Sequence, residues 1–242
     1  MSNKNFSCIT NEDGTKIIDI CEGVQCLDES TLGSFADPLG EVVQINVPST
    51  LECVSPLFWG RLDHVKRFKV HPMNKHFVDV DGCLFSADMR EFVAFPPGKM
   101  VATYEIPSTV QVIAPRAFCL AGFLESIKVG AGVRKIGLDA FGFAWRLERI
   151  YIANSVTEIE DFFGLCGDLD CYISSRIGRM VGGVKGSAIE QWCLDNVVDF
   201  CVVHDDQVED FLSSSAWNST RPELSDEEYL AHWIKGTKNT DF

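Results

Sequence analysis

The sequence predicts a solenoid: short β-strand coils joined by short helical turns, interrupted by one inserted β-hairpin and followed by C-terminal helices. Two observations predict it. A pattern of apolar-x-x-apolar-x-apolar, a turn, then apolar-x-x-apolar returns along most of the chain at a nearly constant step. One step is longer than the others, and its extra residues carry the turn signal of a hairpin.

The first coil is eroded and survives as Ile18-Ile20 and Val24/Leu27. The first half of the pattern then recurs as Val42-Ile45-Val47, Val65-Phe68-Val70, Val101-Tyr104-Ile106, Leu124-Ile127-Val129, Leu147-Ile150-Ile152 and Leu169-Tyr172-Ser174. Between the last members the steps are 23, 36, 23, 23 and 22 residues. The second half recurs as Leu51/Val54, Val110/Ile113, Val133/Ile136 and Val156/Ile159. Alternating apolar positions make a strand with one face inward. The stretches "PST", "GAG" and "ANS" turn the chain out of that strand. Ala117-Phe118 and Ala140-Phe141 follow two of the second halves, compact enough for a helical turn, and Phe162-Phe163 takes their place in the last. Each coil offers roughly five apolar side chains, worth about 1.5–3 kcal/mol apiece before entropy. No coil can cover its own faces, so each needs a neighbour on both sides.

The 36-residue step contains "FVDVDGCLFSADMREFVAFPPGK", Phe77 to Lys99. Asp81-Gly82 suits its tight turn, with Leu84, Phe85, Phe92 and Phe95 in the flanking strands. Together with "IPSTVQVIAPRAF" and "NSVTEIEDFFGLCGDL", this resembles the BspA-like leucine-rich repeat family, whose pattern runs I-P-x-S-V-x-x-I-x-x-x-A-F. The hairpin resembles that family's D-G-x-L-F-S followed by Y-P-x-G-K. The resemblance covers about Ile17 to Val203 and departs at Gly130-Ala131-Gly132, where Pro is missing, and in the overlong "DESTLGSFADPLG". It implies a leucine-rich-repeat solenoid over residues 1–203, with strands lining a concave sheet. It also implies protein binding or cell adhesion, at the surfaces of microbes that meet a host or each other.

Both open ends of a solenoid need covering. "KGSAIEQWCLDNVVDF" resembles the family's terminal helix and predicts a cap over 186–197, with Ser187 and Glu190 as a capping box. Ile189, Trp192 and Cys193 share one helical face. Residues 204–242 form an acidic tail with nine acidic and three basic side chains. It contains a second amphipathic helix over 226–235, running from the Ser225/Glu228 box to Gly236. Its stripe of Tyr229, Leu230, Trp233 and Ile234 either docks on the solenoid or captures a partner, self-association through Tyr229 and Trp233 included.

The formal charge of −14 argues against a nucleic-acid surface. No apolar run is long enough for a membrane span, and "MSNKNFSCITNEDG" lacks the order of a signal peptide. The chain as written is therefore expected where it is made, in the cytoplasm, whereas the family resemblance implies a surface or secreted setting. The ten cysteines show no metal spacing, most lie in apolar runs, and they are expected to be buried and reduced. His64, His71 and His76 are off ligand spacing. "DVDGCLFSAD" lacks the later ligands of a calcium loop, and "VGAGVRKIG" and "MVGGVKGSA" lack phosphate-loop spacing. No cofactor, metal or catalytic group is expected, and the chain reads as non-catalytic.

Positions between the inward residues of the strands face out of the sheet. They are Gln44 and Asn46, Arg67 and Lys69, Thr103 and Glu105, Ser126 and Lys128, Arg149 and Tyr151. Four of these ten are basic in a strongly acidic chain. Arg67, Lys69, Glu105, Lys128, Arg149 and Tyr151 are the expected binding residues, since Arg and Tyr are favoured at interface centres. The expected ligand is an acidic protein surface or an anionic glycan. The expected role is a protein-interaction module working through its concave face, or alternatively a secreted or surface adhesin for host matrix protein or glycan.

Overall fold

A computed structural model of the chain describes residues 5–28, 30, 31, 42–61, 64–163 and 179–213. It opens with an antiparallel pair, β1 (Phe6–Thr10) and β2 (Lys16–Ile20), and the first coil continues to β3 (Cys26–Leu27). The next coils carry β4 (Val42–Val47), β5 (Cys53–Val54) and β6 (Arg67–Val70). The hairpin β7 (Phe77–Val80) and β8 (Cys83–Ser86) leads into β9 (Glu91–Ala94). Long and short strands then alternate: β10 (Thr103–Glu105), β11 (Val112–Ile113), β12 (Ser126–Val129), β13 (Lys135–Ile136), β14 (Arg149–Ile152) and β15 (Glu158–Ile159). The described chain closes with β16 (Met180–Gly183), α1 (Ala188–Asn196), β17 (Asp199–Val202) and α2 (Val208–Ser213).

This is a leucine-rich-repeat solenoid. Its long strands stack in parallel as β2-β4-β6 and as β10-β12-β14-β16-β17, while the short ones stack as β3-β5 and β9-β11-β13-β15. The repeat step makes equivalent residues neighbours: Phe92, Ile113, Ile136 and Ile159 pair in register, as do Ile127 and Ile150. Aromatic rings continue the column. Phe92 stacks on Phe118 at 4.6 Å, Phe118 meets Phe141 at 5.3 Å, and Phe141 meets Phe162 at 5.7 Å. Trp192 of α1 stacks on Phe162 at 4.3 Å and ends the column. Ser187 accepts from the Glu190 N–H, and the Gly186 N–H donates to Glu190, so the helix start is capped by its own first turn.

The segments at Ala117-Phe118 and Ala140-Phe141 are runs of tight turns rather than helices. Their N–H groups alternate between their own turn and the next coil. Ala117 bonds back to Ala114, whereas Arg116, Phe118 and Leu120 donate to Leu138, Ala140 and Gly142. An α-helix would spend those donors internally. The alternation places Arg116, Leu120, Asp139 and Phe143 in the left-handed region, at φ of 55–63°.

The hairpin turns at Asp81 and Gly82, both at positive φ, as a two-residue turn requires. It sits against the free edge of β6, where the Phe68 N–H donates to Gly82 O and the Val70 N–H to Asp79 Oδ1. The long-strand face is therefore built from two sheets with the hairpin between them.

One expectation changes, and two others lie wholly or partly outside the described residues. Cys26 and Cys53, in register on adjacent coils and both exposed, form a disulfide, so the cysteines are not uniformly reduced thiols. Each follows a polar residue, Gln25 or Glu52, in a strand too short to show an alternation, so no local pattern marked both side chains as pointing outward from paired short strands. The copy at Leu169-Tyr172-Ser174 lies outside the described residues, and the strand that stacks on β14 is β16. Of the segment 204–242, residues 205–213 fold back on the solenoid as a short 3-10 turn and α2. The helix over 226–235, with Tyr229 and Trp233, lies outside the described residues.

Truncating the central ring of the column, Phe118→Ala, is expected to cost about 3–5 kcal/mol in an equilibrium urea titration. Peptide mapping of the unreduced protein should recover Cys26 and Cys53 in one linked species, and Cys53→Ser should lower stability by about 3 kcal/mol.

Candidate interaction face

Strand register places the outward side chains in two rows. One runs Asp19, Asn46 and Lys69 on the first sheet, and Glu105, Lys128, Tyr151, Gly182 and Cys201 on the second. The other runs Ile17, Gln44 and Arg67, then Thr103, Ser126, Arg149, Met180 and Asp199. All six expected binding residues lie on this face. They divide into two groups with different surroundings.

On the first sheet Arg67 and Lys69 are exposed. A chain of hydrogen bonds fixes the polar row beneath them: Arg67 Nε donates to Gln44 Oε1, Gln44 Nε2 to Asn46 Oδ1, and Asn46 Nδ2 to Asp19 Oδ1. Gln44 is buried, so these bonds hold the Arg67 side chain in one orientation rather than leaving it to sweep solvent. Lys69 projects between two clefts. One, of about 470 Å³, is lined by Asp19, Asn46, Lys69 and His71. The other, of about 780 Å³, reaches from Arg67 and Lys66 to the hairpin, where Lys99 pairs with Asp81 at 2.7 Å.

The second sheet is occupied by the chain itself. Lys128 Nζ lies 3.2 Å from Glu105 Oε1 and 3.1 Å from Glu209 Oε1. The hydrogen bond to Glu209, then the one to Glu105, holds its ammonium above the usual lysine range. The Tyr151 hydroxyl donates to Asp205 at 3.3 Å, and burial together with that carboxylate pushes the phenol up. Tyr151 is 4% exposed, covered with Val208, Phe211 and Leu212 in a small apolar cluster separate from the main column. Arg149 lies 3.6 Å from Glu148 and keeps only 16% of its side chain exposed. So Arg67 and Lys69 stand open, Glu105 stands at the edge of the covered region, and Lys128 and Tyr151 lie under or against the C-terminal segment.

Sequence reasoning missed that cover. Its signal was present: Val208, Phe211 and Leu212 stand at i, i+3 and i+4, the spacing of one apolar helical face. The partner position Gly182 carried no signal, because β16 does not repeat the apolar-x-x-apolar-x-apolar pattern, whereas β17 keeps it as Val197-Phe200-Val202 and places Cys201 between its inward residues.

The described residues bring no reactive thiol to this face. Burial raises the thiol of Cys201, the cysteine in its outward row, and elsewhere pushes Cys83 up to about 12 and Cys119 up to about 11 and raises Cys193 as well. Such thiols remain protonated at neutral pH and are poor nucleophiles.

No family model and no curated protein matches the chain. Among solved structures it is similar to a leucine-rich repeat protein from Eubacterium ventriosum, at 14% identity and a TM-score of 0.51, over 76% of this chain and 71% of that one. It also aligns with a leucine rich cell surface protein from Faecalibacterium prausnitzii, at 15% identity and a TM-score of 0.47, over 83% of this chain and 63% of that one. The Eubacterium ventriosum match supports the leucine-rich-repeat fold. Among the described residues no helix is long and apolar enough to cross a membrane.

In the native protein at neutral pH, a maleimide reagent followed by mass mapping should label the exposed Cys8 first. Cys83, Cys119 and Cys193 should react only after unfolding.

Proposed function

We propose that the chain is a non-catalytic protein-interaction module of the BspA-like kind, which recognises an acidic surface through the open part of its concave strand face. The observation that carries this reading is the pair Arg67 and Lys69. They project from a rigid sheet beside two clefts, one cation oriented by a buried glutamine, in a chain of net charge −14. An arginine held in one orientation loses less entropy on binding a carboxylate than a free one. The chain's own acidic segment on Lys128 supports the choice of ligand, since the same face already holds carboxylates. Here Glu105 and Lys128 form the border of the open region.

A second reading is a secreted or surface adhesin for host matrix protein or glycan. The exposed Cys26–Cys53 disulfide favours it, because such bonds persist in oxidising compartments. In that reading the same cations take the sulfate or carboxylate groups of an anionic glycan.

Fluorescence anisotropy with a labelled oligoglutamate peptide and with a labelled heparin oligosaccharide tests both. The double charge reversal Arg67→Glu/Lys69→Glu should weaken binding by about tenfold at low salt. Preference for the peptide supports the first reading and preference for the oligosaccharide the second. Equal binding by both proteins, or none by the unaltered chain, overturns the assignment of this face.

A further inference from the structure

The C-terminal segment Asp205–Ser213 is placed where no end cap is needed. The open end of the last coil is sealed by α1 and β17, whose Trp192 and Phe200 close the main column. α2 instead runs back across the face, over β14 and as far as Lys128 of β12. It is six residues long, too short to be stable alone. Among the described residues it is held by one small apolar cluster and by carboxylates paired at the protein surface.

The contact has the shape of a socket. Phe211 is fully buried, with its ring over the bare backbone of Gly182. A Cβ at Gly182 would stand 2.7 Å from Phe211 Cε1 and 2.9 Å from Val203 Cγ2, so only glycine leaves room for the ring. Tyr151 and Cys201 flank Gly182 in the same row, and Lys128 lies beyond Tyr151. The socket thus offers an aromatic-sized hole, a phenol hydroxyl and an ammonium in order along one line. Their occupants are Phe211, Asp205 and Glu209.

We propose that this socket is a receptor site for short acidic helical peptides with a Phe-Leu apex, which the chain's own Asp205–Ser213 occupies in cis and which a partner peptide of the same chemistry enters by displacing it. The site is a second one, apart from Arg67 and Lys69, though it rests on the same reading of the chain as an interaction module. Exchange is favoured by the build of the contact. The segment leaves the solenoid after the last described strand, so its release breaks no coil-to-coil pairing among the described residues. Its few buried groups place it at the low-stability end of the molecule. A competitor then gains whatever the cis segment loses, and the apparent affinity is reduced by the fraction of time the socket is closed.

The test uses the full chain and a fluorescein-labelled peptide of residues 204–215, HDDQVEDFLSSS. Phe211→Ala in the protein empties the socket and should raise its affinity for the peptide by about tenfold or more over the unaltered chain. Adding Gly182→Ala to that variant should abolish the gain, and so should replacing the peptide's phenylalanine by alanine. The gain produced by Phe211→Ala should persist in an Arg67→Glu/Lys69→Glu background, where the open face no longer attracts acidic peptides, so failure of the open-face assignment and failure of the socket are read separately. A folded Phe211→Ala variant that binds the peptide no better than the unaltered chain overturns the proposal. Hydrogen exchange on the unaltered protein gives an answer even if that variant does not fold. The amides of Phe211 and Leu212 should exchange about a hundredfold faster than those of Ile127 and Ile150. Equal protection would make the segment a permanent part of the core and would also overturn the proposal.

Discussion

Everything in this molecule depends on one residue type meeting its own repeat in the next coil. The step of 23 residues is what sets Phe118 on Phe141 and Ile113 on Ile136. A coil has too few apolar groups to fold alone, so the favourable term is almost wholly between neighbours. The backbone follows the same rule. In the turns around Ala117 and Ala140 it gives up helix formation in order to bond to the adjacent coil, and it accepts non-glycine residues at positive φ to do so. Packing between coils therefore outweighs local conformational preference.

The outward face inherits its order from that column. Because the strands are in register, side chains between the buried positions fall into straight rows across the sheet. Where the rows are polar and fixed from below, as at Asp19, Asn46, Gln44 and Arg67, they make a rigid charged surface. Where the row shrinks to Gly182, it makes a hole. The same geometry thus yields two kinds of surface on one face, a charged one near the hairpin and, near the C-terminal end, an aromatic-sized hole beside a phenol and an ammonium, and the proposed recognition would use both.

The solenoid, its inserted hairpin and the helix after Ser187 were legible because a period of apolar residues, an Asp-Gly turn and a capping box are local signals. The outward positions were legible too, since alternation along a strand assigns them directly. Other features arise from pairing between distant segments, which no local pattern records. Cys26 and Cys53 each sit in an ordinary short strand, and only the stacking of those strands brings the sulfurs together. Likewise β16 lacks the repeat yet continues the sheet, and the spacing of Val208, Phe211 and Leu212 marks a helical face without recording that Phe211 lands on Gly182.

The disulfide also gives the molecule a direction. A stack of coils loses its units from the ends inward, since an outer coil has one neighbour and an inner coil has two. By tying the first coil to the second, Cys26–Cys53 restrains the N-terminal end from fraying, while among the described residues the last coils carry no such covalent link. Under pulling or proteolysis the described coils are then expected to come apart first on the carboxyl side, so the strap of α2 yields before the disulfide-tied pair does.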